Sequence, residues 1–142
     1  EKSLGAMIKG GKVPIVGVKE YGEVVDAEPG LYLTDTPGYD VESVTGMVAG
    51  GATVVLFTTG QGTPTGHAIA PVIKITGNRQ TAKKMSDNID FDCSTIIYGE
   101  ETLEESGRKL FDLVLRIANG ELTKAEVLGQ DDYSIWNVGI KL

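Results

Sequence analysis

The chain has 142 residues, a net charge of −7 and one cysteine. That length suits one domain with a real core, and the acidic balance excludes a general nucleic-acid surface, which needs clustered Lys and Arg. Cys93 alone forms no internal disulfide and fits a reducing, cytoplasmic setting, and no stretch approaches eighteen consecutive apolar residues, so no membrane partner is expected. The chain opens on Glu1 rather than Met, as expected of a piece of a longer polypeptide.

Residues 1–30 read as an irregular segment: a short helix over Glu1–Ile8 ended by Gly10-Gly11, then extended pieces at Val13–Val16 and Glu23–Val25 broken by Gly17, Gly22 and Pro29. Such a segment is expected to pack on something amino-terminal to it, leaving 31–142 as an α/β domain. Leu31–Thr34 and Thr53–Phe57 have strand character, and Asp40–Ala49 between them has helical spacing with Asp40 as N-cap and Gly50-Gly51 as stop. A strand, a helix and a strand within about thirty residues predict a βαβ unit with parallel strands in one sheet. Pro71–Ile75 reads as a further strand, Asn78 as the cap of a short helix to about Met85, and Ile89–Ile97 as one or two more strands. Thr102 and Glu105 form a capping box for a helix over Leu103–Asn119, with Leu103, Leu110, Phe111, Val114, Leu115 and Ala118 as its apolar face and Gly120 as its left-handed stop. The tail from Tyr133 is apolar enough to dock on the domain as an edge strand, with Trp136 as core or interface anchor. The fold class predicted is α/β: a three-layer, Rossmann-like domain with a mainly parallel sheet.

Two polar turns follow the first two of those strands, Asp35-Thr36-Pro37-Gly38 and Thr58–His67. In a parallel sheet both would leave the carboxyl-terminal edge, where open α/β sheets bind ligands. Two familiar nucleotide readings fail. The D-x-x-G string has no G-x-x-x-x-G-K-S/T loop to accompany it, and Gly60-Gln61-Gly62 runs into Pro71 and a strand rather than a helix, so the dinucleotide-binding turn is lacking. What remains is a loop whose glycines, Gly60, Gly62 and Gly66, let backbone approach a ligand, with hydroxyls from Thr58, Thr59, Thr63 and Thr65. Thr36 and Gly38 lead into a helix amino terminus with further donors. The set suits a polyhydroxy acid, a carboxylate or a sulfonate; an ordinary solvated surface loop is the plainer alternative. Asp35 reads evenly as ligand or base and as a turn cap. His67, the sole histidine, reads as base, metal ligand or neither. Glu100, Glu101, Glu104 and Glu105 read as a dipole-matched helix start rather than an acid/base pair, and Cys93 as a small buried hydrophobe.

The strings Glu1-Lys2-Ser3-Leu4-Gly5, Lys9-Gly10-Gly11, Asp35–Asp40, Phe57–Pro64, Gly99-Glu100-Glu101-Thr102 and Ala118-Asn119-Gly120 together resemble the carboxyl-terminal part of the altronate and galactarate dehydratases, a family that includes sulfolactate sulfo-lyase. The likeness covers essentially the whole chain. It implies β-elimination of water from a sugar acid to give a 2-keto-3-deoxy acid, with a base removing the proton α to a carboxylate and a divalent metal, Fe²⁺, acting as Lewis acid. Sulfite loss from sulfolactate and a non-catalytic ligand-binding or oligomerisation module are the alternatives. The resemblance adds Lys2, in the family's Glu-Lys-Ser-Leu-Gly string, to neutralise a substrate carboxylate, beside Asp35 as the other catalytic candidate; it lowers His67 from base or metal ligand to a ligand contact. The two turns place Thr36, Gly38, Thr58, Thr59, Gly60, Gly62, Thr63, Gly66 and His67 as the expected substrate contacts. No residues are assigned to the metal. Expected partners are a small anionic sugar acid or hydroxy acid, the rest of the polypeptide or a partner subunit, and further copies in a homo-oligomer. With one histidine, one cysteine and no clustered ligand spacing, the 142 residues by themselves are expected to fold without dehydratase activity.

Overall fold

The computed structural model describes residues 2–25 and 28–137. In chain order the elements are α1 (Lys2–Lys9), β1 (Ile15–Lys19), β2 (Leu31–Thr34), α2 (Asp40–Ala49), β3 (Val55–Thr58), β4 (Val72–Thr76), α3 (Arg79–Lys84), β5 (Phe91–Asp92), α4 (Ser94–Ile97), α5 (Leu103–Ala118) and α6 (Lys124–Val127). Every strand pairing is parallel, but the strands fall into two sheets: β1 beside β2, and β3-β4-β5. The α/β class holds. The expectation that Leu31–Thr34 and Thr53–Phe57 share one sheet does not, because β2 pairs back onto β1 instead.

The three-stranded sheet has helices on both faces, the layering expected of an α/β sandwich. Alternation along β4 sorts its side chains. Ile73 and Ile75 pack with Leu113 and Ile117 of α5, joined by Leu110 and Val114. Val72, with Val55 and Phe57 of β3, packs with Val44, Met47 and Val48 of α2. All five residues of β4 are buried, as a central parallel strand requires. Lys74 is among them. Its ammonium donates to the Thr65 carbonyl at 3.2 Å and lies 4.0 Å from the Asp90 carboxylate. Burial pushes its pKa below the ordinary lysine value, against the pull of Asp90.

Several local expectations change. β1 runs through Gly17, whose missing side chain makes room for the Tyr32 ring (an added Cβ would sit 3.1 Å from Tyr32 Cε1). The first thirty residues therefore contribute an ordered helix and strand. Tyr39, not Asp40, precedes the first turn of α2, and no side chain caps it. Ser94–Ile97, expected as strand, forms the helical turn α4, after Asp92 Oδ1 accepts the Ser94 N–H at 2.9 Å. The capping box of Thr102 and Glu105 is present, and Gly120 has φ +100° beyond the helix end. The face of α5 is partly the expected one and partly rotated: Leu110 and Val114 pack against the core as expected, but Ser106, Leu113 and Ile117 are the buried residues, whereas Leu103, Phe111, Leu115 and Ala118 are exposed. The tail docks on α2 rather than as an edge strand. Ser134 N–H donates to Thr45 Oγ1 at 3.2 Å, Trp136 N–H donates to the Tyr21 hydroxyl at 3.1 Å, and the two rings meet edge to face at 5.5 Å. Residues 138–142 of that expectation lie outside the described residues. Among the described residues no helix is long and apolar enough to cross a membrane.

Candidate functional site

The ends of three successive parallel strands build one cleft of about 400 Å³. β3 contributes Thr58, Thr59 and Gly60, the turn after β4 contributes Gly77 and Asn78, and Cys93 follows β5; Ile75 forms the floor and Lys9, the last residue of α1, the rim. This is the position where side-by-side parallel strands with diverging connections leave a crevice. Side-chain bonds fix its walls. Thr59 Oγ1 accepts the Gly62 N–H at 3.0 Å. Asn78 Nδ2 and Thr81 Oγ1 both donate to the Gly60 carbonyl, at 3.1 and 2.8 Å, while Asn78 Oδ1 accepts the Gln80 and Thr81 N–H groups at the start of α3.

Two polar groups, one in the cleft and one beside it, are already committed. The Cys93 thiol donates to the Thr76 carbonyl at 3.2 Å, and burial pushes its pKa up, so it stays protonated and is a poor nucleophile or metal ligand. Arg79, beside the cleft, makes a two-point pair with Glu100 at 2.9 and 2.6 Å, bonds Ser94 and stacks 3.9 Å above the Tyr98 ring. Bonding to the Glu100 carboxylate raises its pKa, and its guanidinium is a structural tie rather than a substrate clamp. Among the described residues Lys9 is the basic residue that lines the cleft.

The structure separates residues that the sequence reading placed together. Asp35, Thr36 and Gly38 follow β2 in the other sheet. The Asp35 N–H continues the β1–β2 ladder to Lys19 O, its side chain is exposed, and Thr36 Oγ1 accepts from Ser43 Oγ at 2.9 Å. Gly38 borders a second hollow walled by Asp40, Glu42, Thr65 and Ser134. Two carboxylates in that wall make it a poor seat for an anion. Lys2 begins α1, but its side chain lies outside the described residues, as does Glu1.

The loop from Thr58 to His67 is also divided, for a topological reason. β3 and β4 are parallel, so their connection must travel from the carboxyl-terminal edge back to the amino-terminal edge. Thr58, Thr59 and Gly60 stay at the cleft. Gly62 turns at φ +90°, with Met85 and Thr81 packed where a side chain would stand. Thr63 and Thr65 are buried and share a hydroxyl–hydroxyl bond of 2.8 Å. Gly66 has no Cβ because the Gln130 carbonyl and Ala125 occupy that space. His67 is buried at the far end, where Nδ1 accepts the Ile69 N–H at 3.2 Å and burial lowers its pKa, holding the ring neutral. These five are packing residues of a crossover. Lys9, Gly77, Asn78 and Cys93 were not anticipated as lining residues. Asn78 and Cys93 sit two positions and one position beyond the observed ends of β4 and β5; the sequence reading, which ran its last strand through to Ile97, hid the second of them.

Among the described residues no three His, Cys, Asp or Glu side chains converge as a metal site. With His67 Nδ1 engaged and the Cys93 thiol protonated, the donors present here do not fit a divalent metal.

The sequence profile of D-galactarate/altronate dehydratase, C-terminal, matches residues 1–141. The galactarate dehydratase (L-threo-forming) of Escherichia coli is 43% identical over 121 residues, covering 85% of this chain and 23% of that protein. The (2R)-sulfolactate sulfo-lyase subunit beta of Chromohalobacter salexigens is 40% identical over 134 residues, 94% of this chain and 34% of its own length. The altronate dehydratase of E. coli is 36% identical across the whole chain, 28% of that protein. The chain thus spans roughly a quarter to a third of the length of the curated relatives it matches. On the strength of a match that runs from one end to the other, this chain belongs to the galactarate/altronate dehydratase family and corresponds to its carboxyl-terminal part.

Proposed function

We propose that this chain is the carboxyl-terminal domain of a sugar-acid hydro-lyase that turns an altronate- or galactarate-type acid into a 2-keto-3-deoxy acid. In this reading the cleft at the ends of β3, β4 and β5 holds the substrate's anionic end. The observation that carries it is the convergence of Thr58, Thr59, Gly60, Asn78 and Lys9 on one cleft in a member of this family. Lys9 supplies the charge complement, and the Thr58 hydroxyl, exposed at the strand end, donates to or accepts from substrate hydroxyls. The committed bonds of Thr59, Asn78 and Thr81 keep the walls in one geometry, so little order is lost on binding.

In this reading the base and the metal ligands lie elsewhere in the longer polypeptide or a partner subunit: among the described residues no three His, Cys, Asp or Glu converge on a metal, and Asp35 does not line the cleft. No step of the elimination is assigned to a metal on this chain. A cytoplasmic setting accords with the free thiol. Sulfite elimination is the second reading, favoured by the 40% identity to the sulfolactate enzyme's subunit over nearly the whole chain. Turnover of altronate, galactarate and sulfolactate by the full-length protein separates the two, and failure on all three refutes both. Gly60→Val tests the cleft directly. An added side chain there meets nothing within 4 Å, so the fold is spared while the cleft is filled. With Thr58→Val it should lower kcat/KM by about 1–3 kcal/mol, roughly five- to a hundred-fold. Unchanged kcat/KM in both variants overturns the placement.

A further inference from the structure

One carbonyl in the wall of the cleft is held by two donors at once. Gly60 O accepts from Asn78 Nδ2 at 3.1 Å and from Thr81 Oγ1 at 2.8 Å. Thr81 is buried and does not line the cleft, so this carbonyl is turned from the cleft toward the body of α3. Glycine can rotate its flanking peptides at little cost, and nothing lies within 4 Å of where a Gly60 side chain would stand. Packing around Gly60 therefore does not choose the direction of the carbonyl; the two donors do. The Gly60–Gln61 peptide is trans, so its N–H points opposite to its C=O. That N–H, carried by Gln61, is turned away from α3, and among the described residues no hydrogen bond holds it. On the other side of the turn the Gly62 N–H is fixed on Thr59 Oγ1, which brackets the same peptide.

We infer that Asn78 and Thr81 are positioning residues for the substrate's anionic end, acting through the Gly60–Gln61 peptide; the inference rests on the reading of this cleft as the substrate's seat. Carboxylate and carbonyl oxygens are both acceptors, so a Gly60 carbonyl swung into the cleft would oppose the anion. The two donors keep it off the anion and leave the Gln61 N–H for a substrate oxygen, an orientation set before the substrate arrives. Each positioning side chain has a separable structural role. Asn78 Oδ1 caps α3 by accepting the Gln80 and Thr81 N–H groups, whereas only Nδ2 ties Gly60. Thr81 Cγ2 packs beneath Gly62, 3.1 Å from where a side chain there would begin, whereas only Oγ1 ties Gly60.

The test is steady-state kinetics of the full-length enzyme on whichever acid it turns over, with a melting temperature for each variant. Thr81→Val keeps the methyl packing and loses the tie; Thr81→Ser keeps the tie and loses the methyl. Thr81→Val should raise KM by about three- to tenfold, the worth of one hydrogen bond, with kcat within about twofold, as expected when binding alone is lost. Thr81→Ser should stay near the parent in KM even where its melting temperature falls. Asn78→Ser retains an N-cap oxygen but no donor for Gly60, and should behave as Thr81→Val does. With both ties gone, Asn78→Ser/Thr81→Val should raise KM by about tenfold or more. A Thr81→Ser enzyme as impaired in KM as Thr81→Val would make the residue a packing residue and overturn the inference, and so would a fall in kcat at constant KM. If Gly60→Val lowers kcat/KM while Asn78→Ser/Thr81→Val leaves KM unchanged, the cleft stands as the substrate site and the positioning role is refuted. If Gly60→Val is silent as well, the reading of the cleft falls and this inference with it.

Discussion

Asp90 is a single carboxylate that replaces a stretch of β-ladder, and its conversion to Asn should be far costlier than the one-atom change suggests. The Asp90 N–H donates to the Lys74 carbonyl at 2.9 Å, and Oδ2 accepts the Lys74 N–H at 2.7 Å. Oδ1 accepts the Lys124 N–H at 2.8 Å, where α6 begins, and the buried Lys74 ammonium stands 4.0 Å from Oδ2. A carboxylate offers two acceptors; an amide offers one acceptor and one donor. Asp90→Asn therefore turns an NH₂ toward either the Lys74 or the Lys124 amide. The lost charge-assisted bond and the orphaned N–H come to about 2–3 kcal/mol, and removing the partner of the buried Lys74 brings the total to about 3 kcal/mol or more. In a domain of this size that corresponds to a fall in melting temperature of roughly 6–12 °C. Thermal and urea unfolding followed by circular dichroism measure it. Asp92→Asn is the internal control, since its exposed carboxylate accepts only the Ser94 N–H and leaves that role to the amide oxygen; it should cost less than about 1 kcal/mol. An Asp90→Asn protein within about 1 kcal/mol of the parent would refute the assignment of Asp90 as the clamp between β4, β5 and α6.

Three other outcomes follow from the packing and the donor set. Leu113→Ala should destabilise by about 2–5 kcal/mol through the cavity it opens under β4, and Leu115→Ala by less than about 1 kcal/mol in the monomer; equal costs would contradict the observed face of α5. Because burial lowers the folded-state pKa of His67 below 6.5, the unfolded chain takes up the proton first, and stability is lost as pH falls from that value through the folded pKa. His67→Asn keeps an acceptor for Ile69 N–H and should flatten that part of the curve as pH falls below 6.5, read as urea midpoints; an unchanged slope would assign the titration to other groups. The 142-residue chain by itself should fold and show no turnover of altronate or galactarate, since no three His, Cys, Asp or Glu converge on a metal among the described residues; measurable turnover would require a complete active site within these residues.

The motifs that punctuate helices were readable because their physics is local. The Thr102–Glu105 box and the Asn78 cap satisfy amides within three residues of themselves. The face of α5 was not, because two apolar stripes run along the same helix. The one with the larger residues reads as core, yet the sheet takes the stripe containing Ser106, Leu113 and Ile117. The two sheets escaped for a related reason. Gly17 resembles a strand breaker, whereas it is the position where β1 passes beneath Tyr32, so the strand that claims β2 was hidden.

The division of the Thr58–His67 loop, by contrast, was implied by the strands already predicted. If Val55–Thr58 and Val72–Thr76 are parallel neighbours, the loop between them begins at one edge of the sheet and ends at the other, about four residues of strand away. Only its first residues can meet a ligand at the carboxyl-terminal edge. The remainder must cross the sheet, and a crossing segment without a helix of its own has to bury its polar atoms against the domain. That is what Thr63, Thr65 and His67 do: the threonine hydroxyls bond one another, Lys74 reaches the Thr65 carbonyl from within the sheet, and His67 holds the Ile69 amide. The glycines and threonines that mark the loop as a binding surface in the sequence thus serve two different needs. Gly60 leaves open space over the cleft, and Gly62 and Gly66 let the chain pass against Met85 and the Gln130 carbonyl. Substitutions at Gly60 should therefore be felt in kcat/KM and those at Gly66 in folding, although six residues separate them.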